Sequence, residues 1–490
     1  MENDTDILKY CSNIDKNVYS IKNLPEEVIA VIFAYVSRSP RGFRENILKV
    51  LEEDDFGEGR ASKFHDKWVL NYGHSSVAEL ATLHLGIEKV SRLFSAELEL
   101  SNEFLSFCEY SQRYQQPKRG DYYIPSELDR DPVMKDRYNQ FQNYIFDCYE
   151  KINVELFDKL QNEIFPKDTN ADPKAHLEYL KKKAFEDSRY VLTLATYTNL
   201  GMTGNARAFE DSLSKLLSSS YQEVRDVAEQ MKKEATNSCP TLVKYAKENP
   251  YHVSLEKLNG EGLMLHSYGR GKDVVKIIDY TGFGHEDPHK YAIDKMFFQF
   301  FRKHYSSFSG GFGTVSQEAK YEFIKRITQE LGVYDMPSDI FKLVDYEVDF
   351  LISEACWHQF LRHRQINWYY GSPTCNLGIT VPPSMITDYM NGTSIYLEEP
   401  SNKSKDFRSE LLNSGFNQSA NYVVLNAHRR SVGAKFTLWE LYHLINLRMS
   451  EHAQWDIKNV VTELADKLLE IHPLLIEPAL DRLQVKYSHK

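Results

Sequence analysis

The two halves of the chain begin with the same order of predicted elements, and this repeat limits what 490 residues can fold into. The first half opens with an extended segment, Val18–Ile21, and an apolar run that predicts a helix over Glu26–Val36. The second half opens with the β-branched run Val274–Tyr280, which predicts a strand, and continues with helices over Tyr291–Tyr305 and Ala319–Leu331. Repetition of a whole set of elements indicates duplication of one structural unit.

The two halves also close alike. Helices are predicted over Glu223–Cys239 and Asp456–His472, and each is followed directly by a proline. The glycine-rich stretch 251–272 lacks the strand and helix that flank a nucleotide-binding glycine loop, so we interpret it as a linker. The predicted domains are therefore residues 1–250 and 273–490.

Each half carries an additional segment in its middle. In the first half the apolar spacing predicts a pair of covering helices, Met134–Phe157 and Ala175–Phe185. In the second half Asn391–Gly392 and Asn402–Ser404 are typical of turns. We interpret the first-half pair as a cover and not as a site.

Three basic residues interrupt an aromatic run in the second half. Arg362-His363-Arg364 follows Trp357–Leu361, and Ser372 comes after seven further residues. Two guanidiniums beside an imidazole suit a pyrophosphate or an electron-rich ring. An isolated triplet of this kind is more often a solvated turn. Charges among residues that belong in an interior need partners, however, and a ligand is the natural one.

The triplet with Ser372 and Gln359 resembles the RHR-x7-S signature of the flavin-dependent thymidylate synthases. A second block, His443–Ile457, resembles the C-terminal helix motif of that family. Further family motifs resemble residues 73–114 and 189–207 in the first half. On these blocks the chain is identified as a member of the family over nearly its whole length.

The resemblance implies an α+β fold, an antiparallel sheet with long helices, here as two fused copies with extra helical insertions. Family members are homotetramers, so a fused duplicate is expected to form a homodimer. The implied reaction makes dTMP from dUMP by reductive methylation. Methylenetetrahydrofolate gives the carbon, NADPH gives a hydride and FAD mediates both steps, so the protein has to bind and orient.

The resemblance also assigns roles to residues of both halves. The cofactor-binding positions of the family match Ser76, Asn205, Arg207, Arg362, His363, Arg364 and His443. The substrate-binding positions match Glu109, Ser111, Gln112, Arg113, Arg189, Gln359, Ser372 and Arg448. Arg448 further matches the arginine held against the uracil ring, where a fixed cation favours developing negative charge. It is the expected catalytic residue.

Each half has lost motifs that the other keeps. Ser101-Asn102-Glu103 stands where the first half should carry Arg-His-Arg, and Asp211 and Lys215 stand near the counterparts of His443 and Arg448. After Ser372, Pro373-Thr374 replaces the Gln-Arg of the family. We therefore expect each working site to combine both halves, with one FAD and one dUMP per chain.

Plainer interpretations stay open for several of these residues. Arg113 and Arg189 have the alternative of surface ion pairing, and Ser372 that of a turn hydroxyl. The block Gly73–Glu79 matches a family helix start that includes His74, but serines ahead of a glutamate also form an ordinary helix cap.

Composition excludes some functions. A net charge of -11 argues against binding a nucleic acid polymer. Six scattered cysteines without a CxxC pair predict reduced thiols and no zinc or other metal site, and no Pro-Cys-His block supplies a thiol nucleophile. The start lacks a signal peptide, and the longest apolar run, Val28–Val36, is too short to cross a membrane. A cytoplasmic protein is expected.

Two other functions stay open from the sequence. The first is a related flavoenzyme that acts on another uracil nucleotide, for which the altered residues after Ser372 speak. The second is a degenerate homologue that binds nucleotides without catalysis. Bound flavin would argue against the non-catalytic homologue. Formation of dTMP would favour a thymidylate synthase over a flavoenzyme that acts on another uracil nucleotide.

Overall fold

A computed structural model describes residues 7–36, 39–52, 75–163, 172–261, 273–304, 315–386 and 394–488. These residues form two compact units. Unit 1 comprises the described residues within Met1–Ser111, Gly120–Asn139 and Ala195–Leu265. Unit 2 comprises those within Gln112–Arg119, Gln140–Leu194 and His266–Lys490. Two segments of the first half therefore belong to the unit that contains the second half.

The structure is α+β. Its strands are β1 (Thr82–Ser91), β2 (Ser106–Glu109), β3 (Tyr197–Asn205), β4 (Val275–Tyr280), β5 (Asp345–Ser353), β6 (Asn367–Tyr370) and β7 (Arg429–Thr437). Its α-helices are α1 (Glu26–Val36), α2 (Phe43–Glu52), α3 (Arg92–Ser101), α4 (Pro132–Glu163), α5 (Pro173–Ser188), α6 (Ala206–Leu217), α7 (Gln222–Ser238), α8 (Pro250–Glu261), α9 (Pro288–His304), α10 (Gln317–Gln329), α11 (Glu354–Phe360), α12 (Glu398–Asn413), α13 (Ser419–Tyr422), α14 (Leu438–Arg448), α15 (Trp455–Ile471) and α16 (Pro473–Ser488). Short 3₁₀ helices span Ser75–Leu80, Ser126–Arg130, Arg189–Val191, Asp339–Leu343 and Pro383–Met385.

Each unit contains one antiparallel sheet. The order is β1-β3-β2 in unit 1 and β4-β5-β7-β6 in unit 2. Buried and less buried residues alternate along β3 and β7, as expected of strands with one covered face. Apart from β4, the strand order of unit 1 recurs in unit 2, and β1, β3, β5 and β7 each lead directly into a helix.

The same serine contact recurs where a strand meets its helix. Ser91 caps α3 and its hydroxyl donates to Glu223 at the start of α7, over 2.6 Å. Ser353 caps α11 and its hydroxyl donates to Asp456 at the start of α15, also over 2.6 Å. An N-cap that also binds the acid of the closing helix fixes the strand, its helix and the closing helix together.

Most predicted elements are confirmed. Helix α1, strand β4 and helices α7, α9, α10 and α15 lie where the sequence predicts them, within a few residues at their ends. The two helices predicted in the middle of the first half are present as α4 and α5. The interpretation of the pair as a cover and not a site does not describe α5 in full, because its Lys182 and Lys183 line a cleft. The extended start at Val18–Ile21 does not join the sheet, because Ile21 forms only an isolated bridge with Cys11.

Two predicted irregular segments are helical instead. The turn prediction at Asn402–Ser404 is wrong because these residues lie inside α12, where Lys403 pairs with Glu399 one turn earlier at 2.8 Å. The predicted linker 251–272 is helical in its first part, because α8 covers Pro250–Glu261 and begins where the Asn249 side chain accepts from Tyr251 N. Asn391–Gly392 lies outside the described residues.

All six cysteines lie in the described ranges and carry free thiols. Among the helices of these ranges, none combines the length and apolar character needed to cross a bilayer.

Candidate functional site

Unit 2 contains five of the six predicted site arginines. Arg113 and Arg189 come from the two first-half segments, and Arg362, Arg364 and Arg448 from the second half. Burial, and after it the charges of Arg362 and Arg113, lower the pKa of Arg448 to about 10. Burial raises the pKa of the Cys356 thiol, while the charges of Arg448 and Arg189 oppose that rise. Positive charge is therefore concentrated around Arg448, where an anion would be stabilised.

Arg448 is held in place at two points. It is the last residue of α14, a helix fixed by the buried side chains Leu441 and Leu444. Its Nε donates to His363 Nε2 over 2.8 Å, and its Nη2 donates to the backbone oxygen of Gln359 over 2.8 Å. A guanidinium has five N–H donors, and the described residues occupy two of these. The half-buried side chain can thus present further donors to a ligand.

The basic triplet lies in turns between α11 and β6. His363 is buried, with 1% of its side chain exposed, and Arg362 and Arg364 on either side are half-buried. Trp368 packs against Trp357 with ring centroids 5.1 Å apart. The aromatic flank therefore forms the interior expected from the sequence, with the two arginines at its border.

Glu440 joins this group, although the sequence patterns did not identify it. Its Oε1 lies 3.0 Å from His363 Nδ1, and its side chain is 3% exposed. Burial raises the pKa of Glu440 to about 7 and lowers that of His443. A single acidic residue in the apolar start of α14, Leu438-Trp439-Glu440-Leu441, was the available signal.

Ligand-type atoms of His363, Glu440 and His443 all lie within 4.8 Å of one another. Such a set has the composition of a metal site. Both ring nitrogens of His363 are already engaged, however, one with Glu440 and the other with Arg448. The hydrogen bonds that are present join His363 to Glu440 and Arg448, and the His443 ring packs against His363 with centroids 5.5 Å apart.

A second buried network connects the halves within unit 2. Gln359 Nε2 donates to Gln454 Oε1 over 3.1 Å, and Gln454 Nε2 donates to the Tyr190 hydroxyl over 3.0 Å. Tyr190 in turn donates to Asp456 Oδ2 over 2.8 Å. Gln359 is thus fixed by first-half and second-half residues together. Gln454 belongs to the matched C-terminal block, but no role was predicted for it.

Arg113 lines a cleft of about 340 Å³ in unit 2. Its Nε donates to Glu186 over 2.6 Å, so Arg113 does form an ion pair. The pair is largely buried, however, and is not the surface pair of the alternative interpretation. Lys182, Lys183, His452 and the two acids Glu186 and Glu451 also line the cleft. Glu186 pairs with Lys183 as well as with Arg113. The three basic side chains Arg113, Lys182 and Lys183 exceed the two acids by one charge, which makes the cleft a candidate position for an anionic group.

Gln112 and Arg189 are interior residues, with 2% and 6% of their surface exposed. Asn426 Nδ2 donates to the backbone oxygen of Arg189 over 2.9 Å. It also lies 3.4 Å from Gln112 Oε1. Surface ion pairing therefore does not describe Arg189. Ser372 is exposed and lies two residues after the end of β6.

The remaining predicted site residues lie in unit 1. Glu109 forms a buried ion pair with Arg92. Asn205 caps α6 by accepting from Ala208 N over 2.9 Å. Arg207 pairs with Glu79, and both side chains are about half exposed. The other predicted positions of this unit are Ser76, which is exposed, and Ser111, which is half-buried. His74 lies outside the described residues, and the ligand-binding roles assigned in this unit stay predictions.

Comparisons with known proteins agree with the repeat. A sequence model of the family described as thymidylate synthase complementing protein matches residues 19–241 and 290–474. A UPF0159 protein of Chlamydia muridarum is 24% identical over 95% of this chain and 92% of its own length. A UPF0159 protein of Thermoplasma acidophilum is 22% identical, over 90% and 93% respectively. A flavin-dependent thymidylate synthase of Clostridium tetani is 29% identical over 45% of this chain and 82% of its own length.

Proposed function

Because the chain belongs to the thymidylate synthase complementing protein family, we propose that it is a flavin-dependent thymidylate synthase. It makes dTMP from dUMP, with methylenetetrahydrofolate as the carbon donor and NADPH as the hydride donor. One observation carries the proposal: Arg448 is fixed at two points in the same unit as Arg113, Arg189 and Arg362.

The nucleotide is bound in unit 2. The Gln-Arg pair that is missing after Ser372 has a counterpart there, because Gln112 and Arg113 belong to the same unit as Ser372. Arg113 and Lys182 line the cleft and suit the 5′-phosphate, which accepts several charge-assisted hydrogen bonds. The presence of Gln112 and Arg113 in this unit supports dUMP as the substrate over another uracil nucleotide.

Arg448 stabilises the reacting uracil ring. As C5 becomes nucleophilic, negative charge develops at N3 and O4 of the ring. Formation of the new bond from C5 to carbon then consumes this charge, and the C5 proton leaves afterwards. A guanidinium with a pKa of about 10 remains charged at neutral pH. Since His363 and Gln359 already hold it, little reorganisation is needed when the charge develops.

The basic triplet fits the flavin cofactor. Arg362 lowers the pKa of Arg448, so the cluster carries positive charge that a pyrophosphate would balance. In unit 2 the proposed contacts of FAD are Arg362, Arg364 and His443. When bound, FAD supplies the redox chemistry of the methylation.

The chain is two fused copies of the family subunit and works as a homodimer with two FAD and two dUMP. The recurrence of β1-β3-β2 as β5-β7-β6 supports this duplication. The two matched family segments, one in each half, support it as well.

The direct test supplies purified protein with FAD, dUMP, NADPH and methylenetetrahydrofolate and measures dTMP. Reactions without each component, and reactions with other uracil nucleotides, are the controls. Formation of dTMP that requires all components is the expected result. A flavin-loaded protein that methylates only another uracil nucleotide would replace the proposal, and a protein that binds no flavin would reject it.

A further inference from the structure

Glu440 and Arg448 lie on the same helix and are linked through a residue from another part of the chain. They are eight positions apart, which corresponds to about 12 Å along a helix axis. His363 bridges this gap, with Nδ1 3.0 Å from Glu440 Oε1 and Nε2 2.8 Å from Arg448 Nε. The three side chains form one continuous hydrogen-bonded chain.

The donors fix the direction of this chain. Arg448 Nε–H can only donate, so His363 Nε2 must be the acceptor. The ring proton of neutral His363 is then on Nδ1 and is donated to Glu440. Burial also lowers the pKa of His363 well below its usual range, in agreement with a neutral ring. Only one tautomer therefore satisfies both contacts.

The position of Glu440 has a plain structural explanation. Thr437 caps α14 by accepting from Glu440 N, and a glutamate at this position can close a capping box. Such a glutamate normally remains near the helix end and exposed. Glu440 is instead 3% exposed, with its Oε1 against His363.

We propose that Glu440 is a positioning residue, which fixes the tautomer and orientation of His363 and through it the Arg448 guanidinium. The effect on turnover rests on the proposed function, whereas the tautomer does not. If the His363 ring shifts out of place, Arg448 keeps only its contact with the Gln359 carbonyl. The guanidinium can then rotate about that single contact. Misplacement of about 1 Å at such a group lowers turnover by about a hundredfold.

The first test is nitrogen-15 NMR of histidine-labelled full-length protein without ligands, with His363 assigned by a His363→Gln variant. Protonated Nδ1 and unprotonated Nε2 are expected in the wild type and in Arg448→Ala, where Glu440 alone holds the ring. A mixture of tautomers is expected in the double variant Arg448→Ala/Glu440→Leu. Protonated Nε2 in the wild type, a mixture already in Arg448→Ala, or the wild-type tautomer in the double variant would overturn the proposal. This result is independent of whether the protein makes dTMP.

The second test is a double-mutant cycle on dTMP formation. Glu440→Leu should lower kcat about tenfold to a hundredfold, and the same change in an Arg448→Ala background should cost less than about twofold. Effects that multiply in full would contradict positioning through Arg448. Glu440→Gln keeps an acceptor oxygen, so it should retain the Nδ1–H tautomer and at least a third of kcat. A Gln variant as inactive as the Leu variant would also overturn the proposal.

Glu354→Gln is the matched control for this cycle. Glu354 is a buried carboxylate of the same unit, fully covered and paired with Arg430 at 2.9 Å. Within the part of the chain that the structure describes, no hydrogen bond or ion pair joins its side chain to Arg448. Its effect should multiply with that of Arg448→Ala. If Glu354→Gln coupled to Arg448→Ala as strongly as Glu440→Leu does, the loss of any buried charge in this unit would affect Arg448. Glu440 would then have no specific positioning role.

Discussion

In both units a basic side chain of the helix after the central strand donates to a backbone carbonyl near the end of a neighbouring helix. In unit 1 Lys215 Nζ donates to Ser101 O over 2.9 Å, and in unit 2 Arg448 Nη2 donates to Gln359 O over 2.8 Å. Lys215 also pairs with Asp211 at 2.7 Å, with both side chains 40–45% exposed. Arg448 instead contacts His363, which is 1% exposed.

The different burial of the two basic side chains explains why similar contacts form a surface pair in unit 1 and a candidate site in unit 2. An exposed pair such as Lys215–Asp211 contributes about 0–1 kcal/mol, because water competes for both charges. Groups as buried as His363 and Glu440 lose their hydration and persist only with partners. A preorganised donor in such surroundings acts strongly on a ligand charge.

The largest expected effect follows from replacing the two corresponding cations. Arg448→Ala should fold and bind flavin but lower kcat for dTMP formation by about a hundredfold to a thousandfold, because one preorganised donor is lost. Lys215→Ala should change kcat by less than about twofold. Steady-state kinetics of both variants decide this. An Arg448→Ala enzyme with nearly normal kcat would remove Arg448 from the mechanism.

The next effect concerns the basic triplet and its counterpart in unit 1. Arg362→Ala or Arg364→Ala should each weaken flavin binding about tenfold to a hundredfold, from the loss of about 1.5–3 kcal/mol of charge-assisted contact. Asn102→Ala should leave flavin affinity unchanged. Fluorescence titration of the apoprotein with FAD measures both. If Asn102→Ala lost as much flavin affinity as the two arginine variants, unit 1 would also bind flavin through this position.

A third prediction uses a buried histidine of unit 2. Burial lowers the pKa of His472 to about 4, and its Nδ1 lies 3.0 Å from the Tyr346 hydroxyl. In the unfolded chain His472 binds a proton near pH 6.5, whereas in the folded chain it stays neutral down to about pH 4. The free energy of unfolding therefore falls as the pH drops from about 6.5 to 4. At pH 5 the expected loss is about 2 kcal/mol.

Intrinsic fluorescence in urea at pH 7 and pH 5 measures this loss, because Trp357, Trp368, Trp439 and Trp455 all lie in unit 2. His472→Gln should be less stable at pH 7 but lose part of the pH dependence. An unchanged pH dependence in that variant would assign the effect to other groups, such as buried His428, whose pKa burial lowers to about 3.

The smallest expected difference is a factor of two in stoichiometry. If only sites built around the basic triplet bind flavin, the purified chain should hold about one FAD. Absorbance of released flavin against protein concentration measures this ratio. Two FAD per chain would show that the copy with Ser101-Asn102-Glu103 still forms a site, and the comparison between the units would then concern turnover alone.

The repeat, most helices and the identity of the candidate arginines were predictable from the order of the residues. These features depend on local periodicity and on short blocks such as Arg362-His363-Arg364 and His443–Ile457, which can be read without knowing the fold. The N-caps Ser91 and Ser353 are local as well, since each accepts from an amide three residues later.

Which of these residues contact one another depends on the folded chain and was not predictable from these patterns. The contact between His363 and Glu440 joins residues 77 positions apart, and that between Tyr190 and Gln454 joins residues 264 apart. The membership of Arg113 and Arg189 in unit 2 depends on the path of the whole chain. Burial, which makes Glu440 and Arg448 differ from Asp211 and Lys215, arises from packing between distant segments, and a local pattern of residues does not contain that information.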